Sequence, residues 1–158
     1  GCAYLEQFYR RPIPARADIV LVSQGGAPKD ANLYQLQKAL DNAKHAVKDG
    51  GVIVLVGCAK EGFGESTFEQ WFRQAQSPRA IIERLREDFV LGGHKAAAIA
   101  LVEERADIYL PDEAVRGLFM TPFPNAQAAF DAAVQRCGSS ATVIAMPYGG
   151  STLPRAET

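Results

Sequence analysis

Two unbroken apolar runs, residues 19–22 (IVLV) and 52–56 (VIVLV), constrain the fold of this chain more than any other feature. Runs of this length without polar alternation are typical of strands buried on both faces of a parallel sheet. The residues between them have the spacing of an amphipathic helix, and a strand, a helix and a strand in this order imply a right-handed parallel crossover. We therefore expect an α/β fold.

The intervening helix is predicted over residues 31–47, because its apolar residues recur at alternating spacings of three and four and so form one core-facing stripe: Leu33, Leu36, Leu40, Ala43 and Val47. Asp30 is predicted to cap its start, and the glycines of residues 48–51 to end it. Its first-turn amides should then favour an anion such as a carboxylate or a phosphate.

Tyr34, Gln35 and Lys38 fall on the opposite face of this helix. A solvated surface is the ordinary interpretation of such a face, but an aromatic residue directed away from a core usually covers something. Lys38 can neutralise a carboxylate, and Gln35 or Tyr34 can hold a hydroxyl or a carbonyl. We expect this face to meet a ligand or another domain, although none of the three residues is an obvious base at neutral pH.

The rest of the chain continues the alternation of helices and strands. Helices are predicted at residues 66–74, 78–88, 94–102 and 124–138, a short helix is predicted to start at residues 111–113, and strands are predicted at residues 106–110, 118–120 and 141–146. The expected fold of residues 17–158 is one three-layer, Rossmann-like α/β domain, with four or five mainly parallel strands and helices on both faces. Residues 1–16 contain Pro12 and Pro14 and are expected to form an irregular or edge segment that could connect two domains.

Three glycine loops should share one edge of such a sheet, at residues 25–26, 62–64 and 149–150. A cleft is expected there, beside the outward face of the first helix. His94 follows a glycine pair at the start of a helix. A surface or capping residue is the ordinary interpretation, but glycines allow the close approach of a ligand, so His94 is a further candidate contact.

Composition argues against several classes of protein. A net charge of -1 without a basic stripe argues against nucleic acid, and no apolar run approaches the length of a membrane span. Cys2, Cys58 and Cys137 form no C-x-x-C pair, which argues against a disulfide framework or a zinc site and favours a reducing, cytoplasmic compartment. Cys58 is interpreted as a small buried hydrophobe. With two histidines, His45 and His94, and no clustered companions, no metal site is expected.

Four segments carry sequence motifs that are more specific than composition or periodicity: residues 17–23 (ADIVLVS), 26–38 (GAPKDANLYQLQK), 92–96 (GGHKA) and 146–154 (MPYGGSTLP). They resemble the C-terminal domain of the nickel-dependent lactate racemase family. The resemblance spans about residues 17–154, and the Asn-Leu-Tyr-Gln-x-x-Lys motif is its most specific part.

The resemblance implies a chemistry shared with a domain outside this chain. In that family a larger N-terminal domain carries a nickel-pincer nucleotide on a lysine. The cofactor takes a hydride from the α-carbon of a 2-hydroxy acid and returns it to either face, while histidines of that domain move the hydroxyl proton. The C-terminal domain closes over this centre. By resemblance Gln35 and Lys38 are its catalytic residues here, and together with Tyr34 and His94 they contact the substrate.

The expected function is therefore the substrate-side domain of a nickel-pincer-nucleotide-dependent 2-hydroxy-acid racemase or epimerase, inactive without its N-terminal domain. No confident cofactor contact and no metal ligand are expected within this chain. Its segment around His94 differs from a tryptophan-bearing version in lactate racemase, so a hydroxy acid other than lactate is plausible. Two alternatives stay open: a noncatalytic α/β module that binds a nucleotide or phosphate, and a structural docking domain.

Overall fold

The computed structural model describes residues 1–111 and 118–157. Within these residues the strands are β1 (Arg10–Ile13), β2 (Ala17–Ser23), β3 (Val47–Val56), β4 (Asp107–Leu110), β5 (Thr121–Pro122), β6 (Val143–Met146) and β7 (Leu153–Ala156). The helices are α1 (Cys2–Tyr9), α2 (Leu33–Ala43), α3 (Ser66–Gln74), α4 (Pro78–Glu87), α5 (Gly93–Glu103) and α6 (Ala126–Cys137), with a 3-10 turn at Gly149–Ser151. Five parallel strands form the main sheet, in the order β5-β4-β3-β2-β6.

The sheet is buried on both faces, as its unbroken apolar strands predict. Ile19 of β2 and Val52 of β3 pack with Ala129 of α6 on one face. Val20 and Ile53, their neighbours along the strands, belong to the larger core on the opposite face, which also contains the buried side chains of α2, α3, α4 and α5. Successive side chains of a strand point to opposite faces, so each strand contributes to both cores. The structure confirms the three-layer α/β fold.

The stripe of α2 is buried as predicted, but the helix is shorter than residues 31–47. Its N-cap is Asn32 rather than Asp30, because Asn32 is extended and its side chain accepts a hydrogen bond from the Gln35 amide. Asp30 lies in the preceding loop, where its carbonyl accepts from Ala59 N–H over 3.0 Å. Ending at Ala43, α2 is also not closed by residues 48–51, which lie within β3.

The glycines of β3 accommodate an irregularity between two strands. The register between β2 and β3 shifts after Ala17. A Cβ atom on Gly51 would lie 2.6 Å from Asp18 O, and Gly50 has a φ of 78°. Gly51 therefore allows the close approach of β2 to β3, and Gly50 supplies the positive φ beside it. The prediction that these glycines end a helix is wrong.

Residues 1–16 are more regular than expected. The helix α1 covers Cys2–Tyr9, and β1 pairs in parallel with β7 to form a separate two-stranded sheet. The prediction of an irregular segment is therefore wrong for α1. Pro12 lies in β1, and a strand of a two-stranded sheet tolerates proline because only one of its edges is paired. A role as a connection between domains stays a prediction.

The remaining helices and strands lie close to their predicted positions. The helix predicted at residues 66–74 is confirmed with both bounds, and Trp71 is 2% exposed, in agreement with a packing role. The small added strand is at Thr121–Pro122 rather than 118–120. The short helix predicted to start at residues 111–113 falls mainly on residues 112–117, which lie outside the described residues. No helix in the described part of the chain is both long and apolar enough to cross a membrane.

Candidate functional site

The site lies at the carboxyl edge of the main sheet, between β2 and β6. The strand order reverses here, because the chain leaves β2 towards β3 on one side and later adds β6 on the other. Loops that leave neighbouring strands at such a reversal diverge, and ligands of open parallel sheets bind in the crevice between them. Residues 24–32 follow β2 and residues 147–152 follow β6, so these two loops border the crevice.

A cavity of about 300 Å³ occupies this crevice, and we call it the switch-point cavity. It is lined by Gln24, Lys29, Gln35, Lys38, Gly150 and Ser151. Within the described residues, neither Lys29 nor Lys38 forms an ion pair with an acidic side chain. The cavity therefore offers two ammonium groups and two amides, a donor-rich set that suits a carboxylate with neighbouring oxygen atoms.

Gln35 and Lys38 form a pair on the wall of the switch-point cavity. Lys38 Nζ donates a hydrogen bond to Gln35 Oε1 over 2.7 Å. This bond uses the amide oxygen, so the amide nitrogen of Gln35 and two further hydrogens of Lys38 can still donate to a ligand. The structure brings the two predicted catalytic residues together, and their catalytic role stays a prediction.

Tyr34 lies apart from this pair. Its half-buried ring packs edge-on against Phe68 of α3, with 5.5 Å between the ring centroids, and it does not line the switch-point cavity. Lys95 of α5 covers its other side, 3.8 Å from the ring centroid, and donates to Tyr34 O over 2.9 Å. The expectation that Tyr34 faces away from the core is therefore wrong in part, because α3 and α5 cover the first turn of α2.

Lys95 extends the positive charge of this region. Burial is the main cause that lowers the pKa of Lys95, and the nearby charge of Lys38 lowers it further. The two ammonium groups therefore sense each other along the outer side of α2. An anion bound near Lys38 relieves this repulsion.

His94 lies in the first turn of α5, as predicted, but does not reach the cavity. Its Nδ1 accepts a hydrogen bond from Gly92 N–H over 3.2 Å, and its ring lies 5.8 Å from that of Phe89. These contacts hold the ring beside its own helix start. The structure does not bring His94 to Gln35 and Lys38, and its role in substrate binding stays a prediction.

The first-turn amides of α2 are occupied, which contradicts the expected anion site. Leu33 N–H donates to Gly62 O over 2.9 Å, and Tyr34 N–H donates to Phe63 O over 3.1 Å. The Gln35 amide donates to Asn32 Oδ1 over 3.1 Å. A phosphate at a helix start needs free amides, but the loop of residues 57–64 binds two of these amides and the Asn32 cap binds the third.

The three glycine loops do meet at one edge, but only two of them border the cavity. Gly150 lines it directly, and the neighbouring Gly149 O accepts a hydrogen bond from Asn42 of α2 over 2.7 Å. Gly64 instead faces the Asn32 side chain, which any Cβ atom on Gly64 would overlap. The third loop thus supports the start of α2 rather than lining the cavity.

Sequence reasoning missed three lining residues: Gln24, Lys29 and Ser151. Gln24 and Lys29 belong to the glycine loop at the carboxyl end of β2, and that position was an available signal for both. Ser151 follows β6, and its place beside α2 depends on the strand order, for which the sequence carries no local signal.

The described residues contain no cluster of three or more His, Cys, Asp or Glu side chains able to hold a metal ion. The three thiols are free in the structure. Cys58 is exposed, so its interpretation as a buried hydrophobe is wrong, because residue 58 lies beyond the end of β3 in the loop.

Comparison with known proteins agrees with this geometry. A family model described as the lactate racemase C-terminal domain matches residues 13–153. The lactate racemase of Thermoanaerobacterium thermosaccharolyticum is 30% identical over 166 residues, covering 98% of this chain and 38% of that protein. The lactate racemase of Lactiplantibacillus plantarum is 29% identical over 85 residues, covering 53% of this chain and 20% of that protein. The chain thus spans well under half the length of these relatives.

Solved structures resemble the fold as well. The lactate racemase apoprotein from T. thermosaccharolyticum superposes with a TM-score of 0.90 at 26% identity, covering 98% of this chain and 39% of that chain. A Thermotoga maritima protein superposes with a TM-score of 0.65 at 14% identity, covering 99% of this chain and 41% of that chain, a likeness of fold alone. The match over residues 13–153 is decisive, and this chain belongs to the lactate racemase C-terminal domain family.

Proposed function

We propose that this chain is the substrate-side domain of a 2-hydroxy-acid racemase or epimerase that depends on a nickel-pincer nucleotide. The observation that carries the proposal is the pair of Gln35 and Lys38 on the wall of the switch-point cavity. Membership in the lactate racemase C-terminal domain family supports the reaction class.

The pair can hold a 2-hydroxy acid by complementary groups. Lys38 supplies the positive charge for the substrate carboxylate, and its hydrogen bond to Gln35 Oε1 directs the glutamine amide. The Gln35 nitrogen is then free to donate to the oxygen on the α-carbon, which is a hydroxyl in the substrate and a carbonyl after oxidation. A donor strengthens its bond as that oxygen gains negative charge, so Gln35 favours the return of the hydride. Tyr34 and His94 remain candidate contacts.

The cofactor is proposed to come from an N-terminal domain. No metal-ligating cluster is present in the described part of this chain, whereas the ammonium groups of Lys29 and Lys38 fit an anionic substrate or a nucleotide phosphate. When bound, the nickel-pincer nucleotide supplies the hydride-transfer chemistry. This chain would bind and orient the acid and keep it from bulk water, and would not racemise it alone.

An N-terminal domain of the same protein is also the proposed partner. The helix α1 buries none of its residues and leaves large apolar side chains exposed: Tyr4, Leu5, Phe8 and Tyr9. Exposed apolar patches of this kind are typical of surfaces that meet another domain. We further propose a cytoplasmic location, which the three free thiols support.

The alternative of a nucleotide- or phosphate-binding module has weaker support. Such a module relies on free amides at a helix start, and the amides of Leu33, Tyr34 and Gln35 are all bound within the chain. Calorimetry of the isolated domain against nucleotides and hydroxy acids separates the two functions. Tight nucleotide binding without an N-terminal domain would favour the module.

The proposal is tested with the full-length, cofactor-loaded protein. Lys38→Ala and Gln35→Ala are each expected to lower kcat/KM for interconversion of 2-hydroxy-acid stereoisomers by about 10- to 100-fold. The first removes the proposed partner of the carboxylate, and the second removes the proposed donor to the oxygen on the α-carbon. Lys44→Ala is the matched control, since Lys44 follows the same helix and pairs with Asp41 at 2.6 Å. Its turnover should stay near wild type. Unchanged turnover in both test variants would remove the assigned roles.

A further inference from the structure

Gln24 is buried at the switch-point cavity, and its side-chain oxygen has no hydrogen-bond partner in the described part of the chain. It is 6% exposed and follows directly after the last residue of β2. Its Oε1 is buried and has no donor among the described residues, a property shared there only with the carboxylate of Glu103. Buried amides are normally paired, because an unpaired acceptor costs stability that an apolar side chain would not. Such a local cost is typical of a functional site.

The backbone around Gln24 is shaped to admit this amide. A Cβ atom on Gly150 would lie 2.5 Å from Gln24 Nε2 and 2.6 Å from its Oε1, so a larger residue at position 150 would displace the amide. Gly150 itself lines the cavity together with Gln24. The loop after β6 thus leaves space for the glutamine head group on the cavity wall.

The other lining groups define what the amide meets. Lys29, Lys38, Gln35 and Ser151 share the cavity with Gln24, and no aliphatic or aromatic residue lines it. A methyl group on the substrate could not form a hydrogen bond with any of these polar head groups. A hydroxyl group can accept a hydrogen bond from an amide nitrogen and donate one to an amide oxygen, whereas a carboxylate can only accept. An extra hydroxyl is therefore the substituent that can donate to the unpartnered Gln24 Oε1 and can also accept from its Nε2.

We propose that Gln24 determines substrate specificity by binding a hydroxyl group on the third carbon, so that the protein prefers 2,3-dihydroxy acids to 2-hydroxy acids with an alkyl side chain. The inference rests on the proposed function, because it assigns the α-carbon end of the acid to Gln35 and Lys38. Sites that hydrogen-bond a substrate hydroxyl reject analogues without it, since the polar groups of the site are then left unpaired.

The test compares glycerate with lactate, which has a methyl group in place of the terminal CH₂OH. In the full-length, cofactor-loaded protein, kcat/KM for glycerate should exceed that for lactate by at least about tenfold. Gln24→Leu should remove most of this preference, and Gly150→Ala should reduce it by displacing the amide. Gln37→Leu is the matched control, because Gln37 is also 6% exposed but does not line the cavity. Its preference should match that of the wild type.

Failure of the inference and failure of the proposed function give different results. Interconversion of both acids without a preference for glycerate, or a preference that survives Gln24→Leu, overturns the role of Gln24 and leaves the racemase proposal intact. If neither glycerate nor lactate nor any other 2-hydroxy acid of a test panel is interconverted, the proposed function is overturned. Calorimetric titration of the full-length protein with the same two acids then decides the inference independently, since tighter binding of glycerate that Gln24→Leu abolishes supports it and equal binding overturns it.

Discussion

Replacing Glu103 by glutamine is expected to stabilise the fold at neutral and alkaline pH. Glu103 is the last residue of α5, and both of its carboxylate oxygens are buried without a partner among the described residues. It borders a cavity of about 370 Å³ at the amino edge of the sheet, beside Asp49 and Asp107. Burial raises the pKa of Glu103 from 4.5 to about 7, because the charged form loses its hydration.

The sign and size of the effect follow from proton linkage. A carboxyl group with a higher pKa in the folded than in the unfolded chain destabilises the fold as the pH rises from the lower value to the higher one. The rise in the pKa of Glu103 from 4.5 to about 7 lowers the free energy of unfolding by roughly 3 kcal/mol at about pH 8. At about pH 5 this loss falls below roughly 1 kcal/mol. Glutamine has a similar shape and does not ionise, so Glu103→Gln removes this loss.

Urea unfolding of the 158-residue chain measures the difference. The free energy of unfolding of Glu103→Gln should exceed that of the wild type by roughly 3 kcal/mol at about pH 8, and the two curves should converge towards about pH 5. Glu104→Gln is the matched control, since Glu104 is the next residue and its carboxylate reaches Arg79 at 3.7 Å on the surface. Its effect should stay within about 1 kcal/mol. Parallel profiles for wild type and Glu103→Gln across this range would refute the reasoning.

Two further predictions concern the start of α2. Asn32→Ala should lower the free energy of unfolding by about 1–2 kcal/mol, measured by urea denaturation, because it removes the cap of the Gln35 amide and the hydrogen bond from Asn32 Nδ2 to Glu61 Oε2. An unchanged midpoint would show that the cap contributes nothing. Gly64→Ala should destabilise more than Gly62→Ala in the same assay, where a positive φ alone costs about 1 kcal/mol or more. Both glycines have a positive φ, but only a Cβ atom on Gly64 meets Asn32, whereas one on Gly62 meets nothing within 4 Å. Equal losses would contradict the predicted overlap.

The start of α2 matters because it positions the candidate site. The loop of residues 57–64 supplies two carbonyls to its first turn, and Asn42 near its end holds the loop after β6. Gln35 and Lys38 are therefore presented from a helix that is bound at both ends. Binding groups on a fixed helix keep their geometry better than groups on a loop.

Much of the fold could be predicted from short stretches of sequence. The stripe of Leu33, Leu36 and Leu40, the buried strand β2 and the bounds of α3 depend on side chains within a few residues of one another, so their periodicity is visible in the sequence. The glycines of β3 were misinterpreted as a helix end because their partner, Asp18 O, is more than thirty residues away. The prediction that Tyr34 faces outward is wrong in part for the same reason, because α3 and α5, which cover its ring, are distant in sequence.

In the candidate site, too, some features could be predicted from the sequence and others depend on the tertiary structure. The sequence by itself determined that Gln35 and Lys38 share one side of a helix beside a glycine loop, because i and i+3 positions always lie together on a helix. Only the tertiary structure decided that the α2 amides are occupied and that Gln24 is buried against Gly150, because both depend on which loops the strand order brings together. A helix carries its own geometry, whereas a cavity between two loops exists only after distant strands have paired.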